Sequence, residues 1–178
     1  AWERCHHEQR FNKEQNTLVK FVVPLLELLG WNSQSPAVSF EYPIEGERKR
    51  RGKRVDCALY LRGEVKPTLL VEVKPYQLEV KPYQITGVGP PQQLFKYLSL
   101  ANVPYGITTN GRTVVVYDSR YVPRRYRRAK LLFWIHADDF VKHAQLLQVL
   151  SKEAVQRGSL DRLAKRFRRP YFDWCKQK

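Results

Sequence analysis

The sequence predicts a mixed α/β domain, a central mixed sheet with flanking helices in the order helix, three strands, helix, strand, followed by a helical C-terminal extension. Three observations predict it. Apolar residues recur at helical spacing before Gly30; three strand-like runs separated by turn signals follow between Val38 and Val73; and a second short helix leads into strands joined by Asn110-Gly111. With 178 residues, 43% of them hydrophobic, the chain is long enough to bury one core. It reads as a single domain over 1–178, its core over about 10–118 and a basic extension over 119–178.

The first helix is expected over Asn12 to Leu29, with Leu18, Val22, Leu25 and Leu29 as its inward stripe and Gly30 as its stop. Pro24 kinks this helix or opens a second short turn. Val38, Phe40, Tyr42 and Ile44 then alternate with polar neighbours, as a half-buried strand does. A charged connection, Glu45 to Lys53, leads to a second strand, Arg54 to Leu61, and the turn Arg62 to Pro67 leads to a third, Thr68 to Lys74. Gly87 to Pro91 reads as a loop and Gln92 to Ala101 as a helix with Leu94 and Leu98 inward. Tyr105 to Thr108 and Thr113 to Asp118 form a hairpin on the Asn-Gly turn, and Leu131 to Ile135 is one more strand. Asp138 or Asp139 is expected to cap a helix running to about Gln156, with Phe140, Ala144, Leu147, Leu150 and Ala154 inward. A last basic helix starts at Ser159, with Leu160, Leu163, Ala164 and Phe167 inward.

The formal net charge is +15, from 32 Lys and Arg against 17 Asp and Glu, which favours a polyanion partner, most often nucleic acid. The charge is clustered rather than spread: Arg48, Lys49, Arg50, Arg51, Lys53 and Arg54 stand at a hairpin tip, and Arg124, Arg125, Arg127 and Arg128 follow Tyr121. A third cluster runs from Arg162 to Arg169. No apolar run reaches membrane-spanning length, and the polar N-terminus does not resemble a signal peptide. The first residue is Ala1 rather than Met, which points to processing or trimming. Cys5, Cys57 and Cys175 are far apart and the four histidines complete no zinc spacing, so a reduced, zinc-free, cytoplasmic protein is expected.

The third strand carries the chemistry. Leu69, Val71 and Val73 face one way, and Leu70, Glu72 and Lys74 the other. A carboxylate and an ammonium at the end of a buried strand are costly unless a metal, a partner or a reaction uses them. Pairing with the second strand would bring Asp56 beside Glu72, and two carboxylates with a lysine suit a hard divalent cation next to a phosphodiester. Glu-Val-Lys also occurs at Glu64 to Lys66 and, in a tandem heptapeptide repeat, at Glu79 to Lys81. Only Glu72 follows an unbroken apolar run, so Glu72 and Lys74 are preferred over Glu79 and Lys81. Each residue also has a structural reading: Asp56 paired with Arg54, Lys74 bridged to Glu72, Glu14 complementing a helix dipole, Gln93 and Tyr97 packed over the sheet edge.

These segments together resemble the PD-(D/E)XK nuclease superfamily, and more closely the nuclease domain at the N-terminus of type I restriction enzyme R subunits and its stand-alone relatives. The resemblance rests on Leu25 to Trp31, Arg54 to Leu59 with Asp56, Leu69 to Lys74, Gln93-x-x-x-Tyr97, and Val103 to Gly111. It covers about residues 10 to 118; the heptapeptide repeat departs from the family core, and no P-loop motif is present. The resemblance implies a restriction-endonuclease-like fold and a Mg²⁺-dependent endonuclease acting on DNA, with Mn²⁺ as a substitute and RNA as the other polyanion. By the same resemblance, Asp56, Glu72 and the carbonyl of Val73 would hold the metal, and Lys74 would act on the attacking water. Glu14 would hold a metal-bound water, and Gln93 and Tyr97 would position the nucleophile or a phosphate. The competing functions are a non-catalytic nucleic-acid-binding module, and a subunit active only in a larger restriction or transposition assembly. A homodimer would suit a self-sufficient double-strand cutter.

Overall fold

The computed structural model describes residues 13–44, 53–81, 90–120 and 131–166, the side chains of 90 and 91 excepted. Helix α1 runs through Glu14–Thr17, a π-helical stretch Leu18–Val22 and Val23–Leu28. The strands are β1 (Val38–Pro43), β2 (Arg54–Leu59), β3 (Leu69–Val73), β4 (Tyr105–Thr109), β5 (Thr113–Asp118) and β6 (Leu131–His136). Helix α2 (Pro90–Ala101) joins β3 to β4, and a 3-10 turn, Ala137–Asp139, precedes α3 (Ala144–Gln148), α4 (Lys152–Gln156) and a helical segment α5 over 159–166.

The six strands form one sheet in sequence order. Among the described strands only β3 and β4 pair in parallel, and helix α2 lies between them in the chain, as a parallel pair's crossover requires. This is the mixed α/β core expected from the sequence and is consistent with a restriction-endonuclease-like fold. Pro43 is tolerated because β1 lies at the sheet edge, where a missing N–H breaks no inner ladder.

The sheet buries a different cluster on each face. Leu69, Val71 and Val73 pack with α1 residues Phe21, Val22 and Leu26, whereas Leu70 packs with Leu94, Tyr97 and Leu98 of α2. The α2 face is tight at Gly106, where a Cβ would stand 2.8 Å from both Leu94 Cδ2 and Leu98 Cδ1. On the α1 face, Trp31 Nε1 donates to the Leu150 carbonyl at 2.9 Å, and the Lys152 N–H to the Leu29 carbonyl at 2.9 Å. Leu132, Phe133, Leu147, Leu150, Val155, Leu160 and Ala164 belong to that same cluster, so the C-terminal third of the chain completes the core.

Four sequence expectations are corrected. The buried stripe of α1 is Thr17, Phe21, Val22, Leu26 and Leu29, with Leu18 and Leu25 only partly buried. A π-turn takes up an extra residue before Pro24, whose ring would clash with the carbonyl four residues back, and this rotates the stripe. Pro90 and Pro91 open α2 rather than ending a loop, since the first turn of a helix needs no N–H donor there. The single helix expected from Asp138 to Gln156 is broken: Ser151 caps a new helix, its Oγ accepting the Ala154 N–H at 3.3 Å. Finally, the exposed residues of β1 include Phe40, which the alternation placed inward; it is 36% exposed on the edge strand.

Candidate active site

Lys74 lies just past the C-terminal end of β3, anchored by its N–H to the Thr109 carbonyl of β4 at 2.8 Å. Its Nζ donates to Glu72 Oε1 at 2.6 Å and to Gln93 Oε1 at 3.2 Å, and stands 3.4 Å from Glu14 Oε1. Glu14 begins α1 and Gln93 lies in the first turn of α2, so helices from opposite faces of the sheet converge on one ammonium. Gln93 Nε2 in turn donates to the Tyr97 hydroxyl at 2.8 Å, which is the i, i+4 pairing on one helix face.

Asp56 sits on β2, where continuation of the Cys57–Val71 register sets it opposite Glu72. Its Oδ2 accepts the Val73 N–H at 2.6 Å. Arg54 does not serve it; that guanidinium reaches Glu41 at 3.8 Å across the hairpin. Asp56, Glu72, Lys74, Glu14, Gln93 and Tyr97 are thus brought into one constellation, with Val73 in its backbone. The second copy of the motif is different: Glu79 and Lys81 form a 3.1 Å pair on the surface, with side chains 74% and 56% exposed, against 3% and 9% for Glu72 and Lys74. Lys53 and Arg54 are exposed beside the β1–β2 connection, whose ends are closed by the Ile44 N–H to Lys53 carbonyl bond. Arg48 to Arg51 and Arg124, Arg125, Arg127 and Arg128 lie outside the described residues.

The charges are strongly coupled. Burial pushes the Glu72 carboxyl up to about 7 even with Lys74 beside it. Burial also raises Asp56, against the pull of the Val73 N–H and Lys74. For Lys74 burial works against the ammonium, but Glu72, Glu14 and Asp56 outweigh it and the pKa rises. The senses differ because one cation serves three carboxylates: Lys74 stays charged, while Glu72 is poised between its two forms.

Among the described residues no group of three or more His, Cys, Asp or Glu side chains is placed to hold a metal ion. Two carboxylates with waters and substrate phosphates are, however, an ordinary donor set for Mg²⁺. Glu72 Oε2 is buried and has no hydrogen-bond partner, which is the atom such a cation would satisfy. The residues present therefore fit a hard divalent cation.

Two features escaped the sequence reading. Thr108, paired in register with Glu72, also buries an unpartnered hydroxyl oxygen. The Asn-Gly turn does more than close a hairpin: Asn110 Nδ2 donates to the Leu78 carbonyl at 2.7 Å, tying the turn to the segment after Lys74. The Asn-Gly dipeptide marked the turn, but nothing local marked its long-range partner.

Comparison with known proteins bears on the fold and the lineage. The family described as type I restriction enzyme R protein N terminus (HSDR_N) matches residues 15–132. A solved chain described as a type I restriction enzyme HsdR subunit fragment, from Vibrio vulnificus YJ016, is 23% identical with a TM-score of 0.45. That match covers 60% of this chain and 21% of the solved one, so this chain spans about a fifth of its length. No curated protein matches.

Proposed function

Because the chain belongs to the type I restriction enzyme R protein N-terminal family, we propose that it is a PD-(D/E)XK-type nuclease module that hydrolyses DNA phosphodiester bonds with Mg²⁺. The observation that carries this reading is the convergence of Glu72, Glu14 and Gln93 on Lys74 Nζ, with Asp56 on the neighbouring strand.

Asp56 and Glu72, with the Val73 carbonyl, would hold the cation. When bound, Mg²⁺ would neutralise charge on the scissile phosphate and lower the pKa of water. Lys74, its ammonium held by Glu72 and Gln93, would fix the attacking water and offset charge developing on the phosphate. Gln93 holds the ammonium in place through Oε1 while Tyr97 holds Gln93, so the donor is set before DNA arrives. Glu14, its side chain 47% exposed, opens to solvent as Gln93 does and would hold a water at the mouth of the site. The net charge of +15 would supply phosphate contacts, with affinity falling steeply as salt rises.

The test is cleavage of supercoiled plasmid by the wild type in Mg²⁺, in EDTA, and by Lys74→Ala with its melting temperature checked. Cutting that needs Mg²⁺ and vanishes in the folded variant supports the reading. A wild type that shifts DNA in a gel at low salt without cutting it favours the second reading, a binding module or a partner-dependent subunit. That reading draws on the net charge of +15.

A further inference from the structure

The turn between β4 and β5 presents Arg112 beside the site just described. Its guanidinium lies over the Tyr76 ring, 5.4 Å from the centroid, and Tyr76 is the second residue after Lys74. The backbone beneath is fixed from several sides. Asn110 Oδ1 accepts the N–H groups of Arg112 and Thr113, both at 2.9 Å, while Gly111 N–H donates to Thr109 Oγ1 at 3.1 Å. Gly111 has φ +82°, and a Cβ there would stand 3.3 Å from Thr17 Cγ2, so both the turn and its close seat on α1 call for glycine. Since the Thr109 carbonyl also accepts the Lys74 N–H, the position of Arg112 relative to Lys74 is set by a short, hydrogen-bonded piece of backbone.

Arg112 is nevertheless exposed, and no carboxylate among the described residues pairs with it. Arg54, Arg120 and Arg157, by contrast, each have an acidic partner. A guanidinium resting on an aromatic ring has lost part of its rotamer freedom before any ligand arrives. Its planar fork matches the oxygens of a phosphodiester better than an ammonium would.

We propose that Arg112, shelved on Tyr76, is a phosphate contact for the DNA strand that passes Lys74. This rests on the nuclease reading for the identity of the ligand, but its test does not need cleavage. The measurement is fluorescence anisotropy of a labelled DNA duplex in EDTA, titrated with the wild type and with Arg112→Ala across a series of salt concentrations. Loss of one phosphate contact should weaken binding at low salt and lower the magnitude of the slope of log K against log salt by about 1. Arg112→Lys should restore the slope, because it keeps the charge, with affinity between the other two. Arg112→Gln, which keeps a polar stem over Tyr76, replaces the alanine variant if that one melts early. A slope unchanged in folded Arg112→Ala or Arg112→Gln overturns the contact, as does a wild type that binds no duplex at any salt. A protein that never cuts DNA but shows the Arg112-dependent slope loses the nuclease reading and keeps this one. A protein that cuts DNA while the slope ignores Arg112 loses only this one.

Discussion

Glu72 and Lys74 meet at 2.6 Å on one face of β3, both nearly inaccessible to solvent, whereas the identically spaced Glu79 and Lys81 meet at 3.1 Å in the open. An exposed pair of this kind contributes little to stability, about 0–1 kcal/mol, and organises nothing around it. The buried pair gathers Glu14 and Gln93 as well. Lys81→Ala should therefore cut plasmid DNA at the wild-type rate, while Lys74→Ala should lose at least about 100-fold, the size of a lost preorganised donor. Equal rates for the two variants in parallel time courses would remove Lys74 from the mechanism.

Gly106 tests how closely α2 must approach the sheet. An alanine there would drive its methyl group into Leu94 and Leu98, which are 0% and 1% exposed and have nowhere to retreat. Gly106→Ala should cost about 1–3 kcal/mol in denaturant unfolding, as overpacking does. Because α2 carries Gln93 and Tyr97, cleavage should fall in the variant even where it remains folded. A variant as stable and as active as the wild type would show that α2 has slack.

The strands themselves were legible because each shows either period-two alternation or a short apolar run bounded by turn residues, and Asn110-Gly111 names its own turn type, whereas the parallel pairing of β3 with β4 was not. The C-terminal helices were not. Phe140, Ala144, Leu147, Leu150 and Ala154 keep an unbroken helical spacing, yet Trp31 takes the Leu150 carbonyl and Ser151 caps a fresh helix. Those partners lie far off in sequence or act on the backbone, so side-chain periodicity carries no trace of them. The same division runs through the site. Glu72 and Lys74 share a face by strand geometry alone, but Glu14 and Gln93 arrive from 60 and 19 residues away and were named through resemblance, not spacing.

Asp161 gives the fold a pH dependence away from the site. Burial opposes its charge, but the Tyr105 hydroxyl at 2.6 Å and the Arg120 guanidinium at 2.9 Å outweigh burial and hold its carboxyl below the usual value. A lowered folded-state pKa contributes stability that is present above the unfolded value, about 3.9, and lost as pH falls through the folded one. Asp161→Asn should therefore melt lower than the wild type at pH 7, with the two curves converging below about pH 4. A constant gap in melting temperature across that range would mean that the amide change costs packing and not charge. The contact pins α5 to β4, and Asp118, 1% exposed, holds Arg120 from behind at 3.1 Å.

Glu72 Oε2 is buried without a hydrogen-bond partner among the described residues, so a divalent cation held there, as proposed, would stabilise the folded protein. An ionised carboxylate out of water is costly unless a cation or a donor meets it, and here Lys74 meets only one of its oxygens. A divalent cation that binds the folded state alone raises stability by about 2.7 kcal/mol at 100 times its dissociation constant. Melting the wild type in Mg²⁺ or Mn²⁺ should therefore give a higher midpoint than melting it in EDTA, and the increment should vanish in Glu72→Gln and in Asp56→Asn. Glu79→Gln, which alters only the exposed copy, should keep the full increment. An increment that survives Glu72→Gln but not Glu79→Gln would move the cation to the second repeat, and one that survives all three variants would be general screening by the salt.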